Sequence, residues 1–257
     1  MIKVSNVQFK YPNFELKDIN FEINDGEIIA ITGNNASGKT TLTKLIAGLI
    51  KTKKGTITID DVPIKKSDKK IGIVFQNPDN QIIFNNVYDD ISFTLKNHGF
   101  SKSEIEDNID YALQLTNMLD YKNSETFNLS TGQKQRIAIA NMLAIKPKII
   151  IFDEASVYLD PTAKEDLYQL FFKLKSQGVT VIFTTNLLDE IVYADKVMVI
   201  NNGIMEAFLP TNEMLNNLDI YRQHNTYIPL KLQLIEKFKI KDYQSNDSII
   251  QSIMEIK

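Results

Sequence analysis

The octapeptide Gly33-Asn34-Asn35-Ala36-Ser37-Gly38-Lys39-Thr40 sets two glycines, a lysine and a hydroxyl at a spacing that suits the holding of a phosphate chain. The glycines let backbone N–H groups close around phosphate oxygens, the lysine ammonium neutralises them, and the Thr40 hydroxyl ligates Mg2+. Thr41 follows directly and joins the candidate phosphate contacts. A chance glycine turn is the bland alternative, and the flanks weigh against it. Glu27-Ile28-Ile29-Ala30-Ile31 is apolar enough for a buried strand, and Leu42, Leu45, Ile46 and Leu49 then recur at helical spacing. Strand, glycine loop and helix together predict the binding of ATP-like nucleotides. Kinases and GTPases share such loops, so this one does not by itself fix the output.

The elements around the loop describe an α/β chain. From Ile2 to Ile31, alternating runs broken by Pro12-Asn13 and Asp25-Gly26 read as antiparallel strands and turns. A strand at Ile71 to Phe75 precedes a long, mainly helical stretch, about 87–146, that looks inserted. Lys148 to Phe152 reads as a buried strand, Ala163 to Lys175 as a helix, Val179 to Thr184 as a strand and Leu187 to Ala194 as a helix. That alternation predicts a core built on a parallel sheet. After Pro210 a polar tail carries two short amphipathic stretches, Leu230, Leu234, Phe238 and then Ile249, Ile250, Ile253, Ile256, which read as a small appended element.

Four further groups have a bland reading each. Ser130 to Gln133 fits a Ser-x-x-Gln capping box. Asp153-Glu154 fits a charged pair ending a strand, Tyr11 fits packing, and Gln76 fits a polar loop. Taken in order, however, Leu129-Ser130-Thr131-Gly132-Gln133, the segment Ile149-Ile150-Ile151-Phe152-Asp153-Glu154 and the glycine loop resemble the signature, Walker B and Walker A motifs of ABC-type ATPases. The resemblance runs from about Ile2 to Phe208. It implies a phosphate-loop NTPase core with an N-terminal antiparallel β-subdomain and an inserted α-helical subdomain. It also implies ATP and Mg2+ as ligands, with Asp153 near the metal and Glu154 as the general base or water-orienting group. Gln76 matches the glutamine that touches the metal site and senses a membrane partner, and Tyr11 matches an adenine-stacking aromatic. Ser130, Gly132 and Gln133 would contact ATP held by a second ATPase subunit in a head-to-tail dimer. Capping and function coincide there, because a capped helix N-terminus also attracts phosphate.

The run Val74-Phe75-Gln76-Asn77-Pro78-Asp79-Asn80-Gln81, followed by Val87-Tyr88-Asp89-Asp90-Ile91, is similar to the ATPases of energy-coupling factor (ECF) transporters and the related cobalt and nickel importers. That likeness implies a membrane T component, a separate S component that captures a vitamin or metal ion, and a peripheral place on the cytoplasmic face of the membrane. It divides the chain into an ATPase domain, 1–210, and a helical extension, 211–257, used in ATPase dimerisation. Three positions depart from the pattern. Asn186 stands where a switch histidine is usual, Thr131 replaces the first signature glycine, and Val157 replaces a serine in Ala155-Ser156-Val157-Tyr158-Leu159-Asp160. An asparagine amide donates a neutral hydrogen bond, so a charge-assisted contact of about 1.5–3 kcal/mol is reduced, or about ten- to a hundredfold in rate if it belongs to the transition state. The expectation is an asymmetric heterodimer, with a homodimer as the alternative. A regulatory subunit with weak turnover and a non-transport ABC ATPase are the rival readings.

Composition removes other classes. At 257 residues, 43% apolar, 24% charged and net charge −3, the chain is an ordinary globular protein with no basic field for nucleic acid. The absence of cysteine excludes disulfides, thiolate metal sites and cysteine nucleophiles. The N-terminal stretch reads as a strand with no leader pattern, and no run of about 18 apolar residues is present.

Overall fold

Successive side chains of a strand point to opposite faces, so a strand apolar at every position must be covered on both sides. The computed structural model describes residues 1–65, 69–243 and 246–255. Strands β1 (Ile2–Tyr11) and β2 (Phe14–Ile23) form a hairpin, β3 (Ile28–Thr32) leads into the glycine loop and helix α1 (Lys39–Ile46) leaves it. Strands β4 (Lys54–Ile59) and β5 (Val62–Pro63) complete an antiparallel sheet of order β2-β1-β4-β5. Strand β6 (Ile71–Val74) is followed by helices α2 (Val87–His98), α3 (Lys102–Leu115) and α4 (Thr131–Ala144). The chain returns through β7 (Ile149–Asp153), α5 (Pro161–Ser176), β8 (Thr180–Thr185), β9 (Lys196–Asn201) and β10 (Ile204–Pro210). Helices α6 (Thr211–Asn216), α7 (Asp219–Gln223), α8 (Leu230–Phe238) and α9 (Asn246–Glu255) follow. The second sheet has the order β10-β9-β3-β8-β7-β6 and is parallel except for β10.

Alternation along β3 assigns its two faces. Ile29 and Ile31 join Leu42, Leu45 and Ile46 of α1 and the inner face of the antiparallel sheet in one core. Ile28 and Ala30 face the other way, into a core shared with α2, α3, α4 and α5. Strands β7 and β8 split likewise: Ile151 and Ile182 belong to the first core, Phe152 and Phe183 to the second. The helical stretch expected at about 87–146 is helices α2 to α4, entered through the Asn86 cap and, at α3 and α4, through complete capping boxes.

The structure differs from the sequence expectation in three places. The run Leu187 to Ala194 is a short 3-10 helix, Leu188–Tyr193, instead of an α-helix. It is squeezed between the turn at Thr185 and Asp195, whose carboxylate accepts from Ile28 N at 2.8 Å and fixes the start of β9; tight turns fit that short gap. On α8 the buried line is Leu232 and Ile235, flanked by Ile228 and Ile240, whereas Leu230 is 66% exposed. On α9 Ile249 is buried and Ile250 exposed, and Ile256 lies outside the described residues. Finally, the β9–β10 hairpin and α6 had no counterpart in the sequence reading. Met214, Leu215, Leu218 and Tyr221 are all buried in the helix-side core.

The turn of that hairpin fastens the glycine loop to the antiparallel sheet. Gly203 N donates to Ser37 O and Gly203 O accepts from Lys17 N, both at 2.9 Å. Gly203 has φ +78°, and a Cβ there would lie 1.8 Å from Glu15 O. Gly178 has a similar φ of +81° with nothing within 4 Å of an added Cβ. Gly178→Ala should therefore cost about 1 kcal/mol of unfolding free energy in urea titration, the backbone penalty alone. Gly203→Ala should cost clearly more, about 2–4 kcal/mol, because backbone must also move.

Candidate active site

Parallel strands deliver their C-terminal ends to one edge of the sheet, and the candidate residues gather there. The glycine loop follows β3, Asp153 ends β7 with Glu154 next, and Asn186 follows β8. Gly33 and Gly38 have φ of +146° and +116°. Substitution at either is blocked by close neighbours: an added Cβ would lie 1.9 Å from Ile200 O at Gly33 and 2.7 Å from the Phe14 ring at Gly38. Gly38 caps α1 without a side-chain hydrogen bond, which leaves the first-turn N–H groups to an external anion. Asn34, Asn35 and Ala36 are exposed on the loop, Ser37 is buried, and Thr41 is partly exposed on the first turn of α1.

Lys39 is 4% exposed. Its Nζ donates to Gly33 O at 2.9 Å, Asn34 O at 3.1 Å and Asn186 Oδ1 at 2.6 Å, and lies 3.7 Å from Glu154 Oε1. Burial pulls the ammonium below its ordinary pKa, opposed by the Glu154 and Asp153 carboxylates. Asn186 uses both ends of its amide, because Nδ2 donates to Glu154 Oε1 at 3.0 Å while Oδ1 accepts from Lys39. Asn186 thus bridges the glycine loop and the candidate base.

Asp153 and Glu154 are organised by one hydroxyl. Thr184 Oγ1 donates to Asp153 Oδ1 at 2.8 Å and accepts from Glu154 N at 2.9 Å. Glu154 has φ +52°, a left-handed conformation costing a non-glycine residue about 1–2 kcal/mol, and that hydrogen bond helps to hold it. Thr40 Oγ1 donates to Asp153 Oδ1 at 3.1 Å. A carboxylate beside a hydroxyl is a hard-oxygen set of the kind Mg2+ takes when waters and phosphate oxygens complete its shell, so the residues present fit that ion.

The remaining candidates stand apart from this cluster. Gln76 is exposed on the bend after β6, and among the described residues no hydrogen bond ties it to Asp153 or Thr40. Its neighbour Phe75 is fixed instead: Phe75 N donates to Gln81 Oε1 and Phe75 O accepts from Gln135 Nε2, both at 3.1 Å. Ser130 and Gln133 form the reciprocal capping box, with Ser130 Oγ accepting from Gln133 N at 3.2 Å and Gln133 Oε1 from Ser130 N at 2.9 Å. Gly132 lets Tyr158 O approach to 3.4 Å of where a Cβ would be. Ser130 and Thr131 are exposed. Tyr11 is 42% exposed, its ring edge-on to Phe9 at 4.7 Å. It borders a groove with Lys10, Pro12, Lys53 and Lys54, and an adjoining groove of about 460 Å3 runs from Lys10 and Phe14 to Ala36 of the loop.

Several contributors escaped the sequence reading. Thr184 was legible only as the hydroxyl-bearing end of a buried strand. Tyr221 closes the base of the loop from 189 residues away, its hydroxyl 3.0 Å from Thr32 Oγ1. Burial raises the Tyr221 pKa well above the ordinary phenol range, so the group stays a neutral partner. A cavity of about 190 Å3 lies between Asn34, Asn35, Asn186, Tyr221 and His224.

A glycine loop, paired carboxylates and a bridging amide on adjacent parallel strands define a phosphate-loop nucleoside triphosphatase. The ABC transporter family model matches residues 16–157. The energy-coupling factor transporter ATP-binding protein EcfA1 of Oceanobacillus iheyensis is 38% identical over 93% of this chain and 89% of its own length. The EcfA1 protein of Ureaplasma parvum serovar 3 is also 38% identical, over 98% and 90%. Among solved structures, cbiO1 from Clostridium perfringens, described as part of the ABC transporter complex cbiONQ, superposes with a TM-score of 0.77 at 34% identity, covering 91% of this chain and 98% of that one. A dimeric cassette, MJ0796 bound to ADP and Pi, gives 0.74 at 29% identity over 82% and 99%. The chain belongs to the ABC transporter family, among its energy-coupling factor ATP-binding proteins. It is an ATP hydrolase that works with Mg2+.

Thr184→Val keeps the side-chain shape and removes the shared hydroxyl, leaving the Glu154 N–H without its acceptor. Unfolding free energy should fall by about 1–3 kcal/mol in urea titration, while Thr184→Ser should stay within about 1 kcal/mol of the parent.

Proposed function

We propose that this ATPase is one of two ATP-hydrolysing subunits that sit on the cytoplasmic face of a membrane T component and energise uptake of a vitamin or metal ion captured by a separate S component. The observation that carries this reading is the coexistence in one chain of the Lys39, Asp153, Glu154 and Asn186 cluster and a capped, exposed helix start at Ser130. Among the described residues, no hydrogen bond joins Ser130, Gly132 or Gln133 to the glycine loop. Such a start is suited to phosphate held on another subunit, which requires a head-to-tail pair. The names of the relatives, energy-coupling factor transporter ATP-binding proteins, support the transporter reading. Among the described residues no helix is long and apolar enough to cross a membrane, so the chain's attachment would run through its partner.

In this reading the loop N–H groups and Lys39 hold the phosphates of ATP, and Tyr11 offers a ring face to adenine. Thr40 and Asp153, with Gln76, would hold Mg2+, which would supply positive charge against the phosphates. Glu154 orients the attacking water and accepts its proton, and Asn186 keeps that carboxylate in line with Lys39. Positioning and electrostatics supply most of such catalysis.

A docking surface for the membrane component is supported by an exposed apolar patch. Ile83 is 71% and Phe127 63% exposed, and the Phe84 and Phe93 rings lie 5.0 Å apart. Its backbone is tied to the helix that begins at Ser130. Buried Asp90 accepts from Ile83 N at 2.8 Å, Phe84 N at 3.0 Å and Asn141 Nδ2 at 2.6 Å, and Lys134 pairs with Asp79 at 2.7 Å. Displacement of the patch would therefore move α4 with it. The exposed Tyr227, Leu230, Ile250 and Met254 support a pairing role for residues 211–257. Asn186, Thr131 and Val157 favour a pair with two unequal sites.

The test is Glu154→Gln in the purified assembly of both ATPases with the membrane component. Single-turnover hydrolysis of the ATP held on this chain's loop should fall by about a hundredfold or more while ATP binding persists, as removal of a group acting only in the transition state requires. Unchanged turnover would make this chain a regulatory ATP-binding subunit.

A further inference from the structure

Glu190 is a carboxylate only 4% exposed, on the 3-10 helix after the switch position. A carboxylate leaves water only where donors replace its hydration. Here the donors come from two separate segments, the loop after β7 and the last residue of β8. Ser156 Oγ donates to its Oε1 and Oε2 at 3.0 and 3.3 Å, and Thr185 Oγ1 donates to Oε2 at 2.5 Å. Lys164 Nζ, 3.5 Å away, balances the charge.

The two hydroxyls flank the hydrolytic residues. Ser156 is two positions after Glu154, in the segment that carries Val157 and Tyr158 to the surface. Thr185 immediately precedes Asn186. Its Oγ1 also accepts from Leu187 N at 2.9 Å, closing a tight turn around Asn186. A hydroxyl has one proton. With that proton committed to Glu190, a lone pair of Thr185 is turned towards Leu187 N, so the carboxylate sets the orientation on which the turn depends.

We propose that Glu190 is a positioning residue that locks the loop after Glu154 to the turn bearing Asn186, so that the Asn186 amide meets Lys39 and Glu154 together. The proposal rests on the assignment of Glu154 and Asn186 to the hydrolytic site. Glu190 does not touch the reacting atoms; it acts through Thr185 on one side and Ser156 on the other.

The test is single-turnover and steady-state ATP hydrolysis by the full chain assembled with its second ATPase, with unfolding temperatures recorded for every variant. Glu190→Ala and the near-isosteric Thr185→Val should each lower the rate constant about tenfold, the size of one charge-assisted hydrogen bond, with KM for ATP within about twofold of the parent. On an Asn186→Ala background, whose slow hydrolysis the single-turnover format resolves, neither should lower the rate by more than about twofold further. Glu190→Gln, which keeps one acceptor oxygen, should recover most of the rate. Equal factors in both backgrounds, a rise in KM with an unchanged rate, or losses that track unfolding temperature would overturn the proposal. If Glu190→Ala does not fold, Thr185→Val still decides. Glu154→Gln is the separate control: if that variant hydrolyses ATP at the parent rate, the underlying assignment fails, whereas a silent Thr185→Val beside an inactive Glu154→Gln overturns Glu190's role alone.

Discussion

A lysine ammonium held away from water is the constraint on which the site depends. An uncompensated buried charge costs several kcal/mol, so Lys39 persists only where fixed acceptors surround it. They are Gly33 O and Asn34 O from the end of β3, Asn186 Oδ1 from the end of β8, and the Glu154 carboxylate from the end of β7. They meet because β3, β8 and β7 are consecutive in the sheet. Consecutive placement in turn needs strands apolar on both faces, with the antiparallel sheet covering one and the helices the other. The strained backbone of Glu154 and the shared hydroxyl of Thr184 follow from the same demand, that a carboxylate be aimed at one point in space.

Much of this was legible in the sequence wherever chemistry requires a local spacing. The glycine loop, its flanking strand and helix, and the capping box at Ser130 are each set by residues within a few positions of one another. Gln76 was legible as a position, but among the described residues no hydrogen bond joins it to Thr40 or Asp153. What escaped was non-local or degenerate. The hydroxyl contact between Thr32 and Tyr221 has no signature in either segment. Gly203 reads as one more turn glycine until its closeness to Glu15 and Ser37 is seen. On α8, Leu230, Leu232, Leu234, Ile235 and Phe238 offer two overlapping helical stripes, and periodicity alone does not choose between them. The choice was made by Tyr221 and Leu218, which pack in the same core as Leu232 and Ile235.

The asparagine at the switch position gives the site its character. Its amide supplies an acceptor to Lys39 and a donor to Glu154 at once. The same neutrality withholds the cationic donor that an imidazolium would bring to a developing negative charge. On the proposed role of Asn186, geometry is kept at the expense of electrostatic strength, and ATP held on this chain would be cleaved more slowly than with an imidazolium at that position.

The most direct measurement is therefore the steady-state rate of ATP hydrolysis by the ATPase pair carrying Asn186→His in this chain, compared with the parent pair. The account predicts that kcat rises by about ten- to a hundredfold with KM for ATP little changed, since a charge-assisted hydrogen bond replaces a neutral one. A rate that stays the same or falls would contradict it.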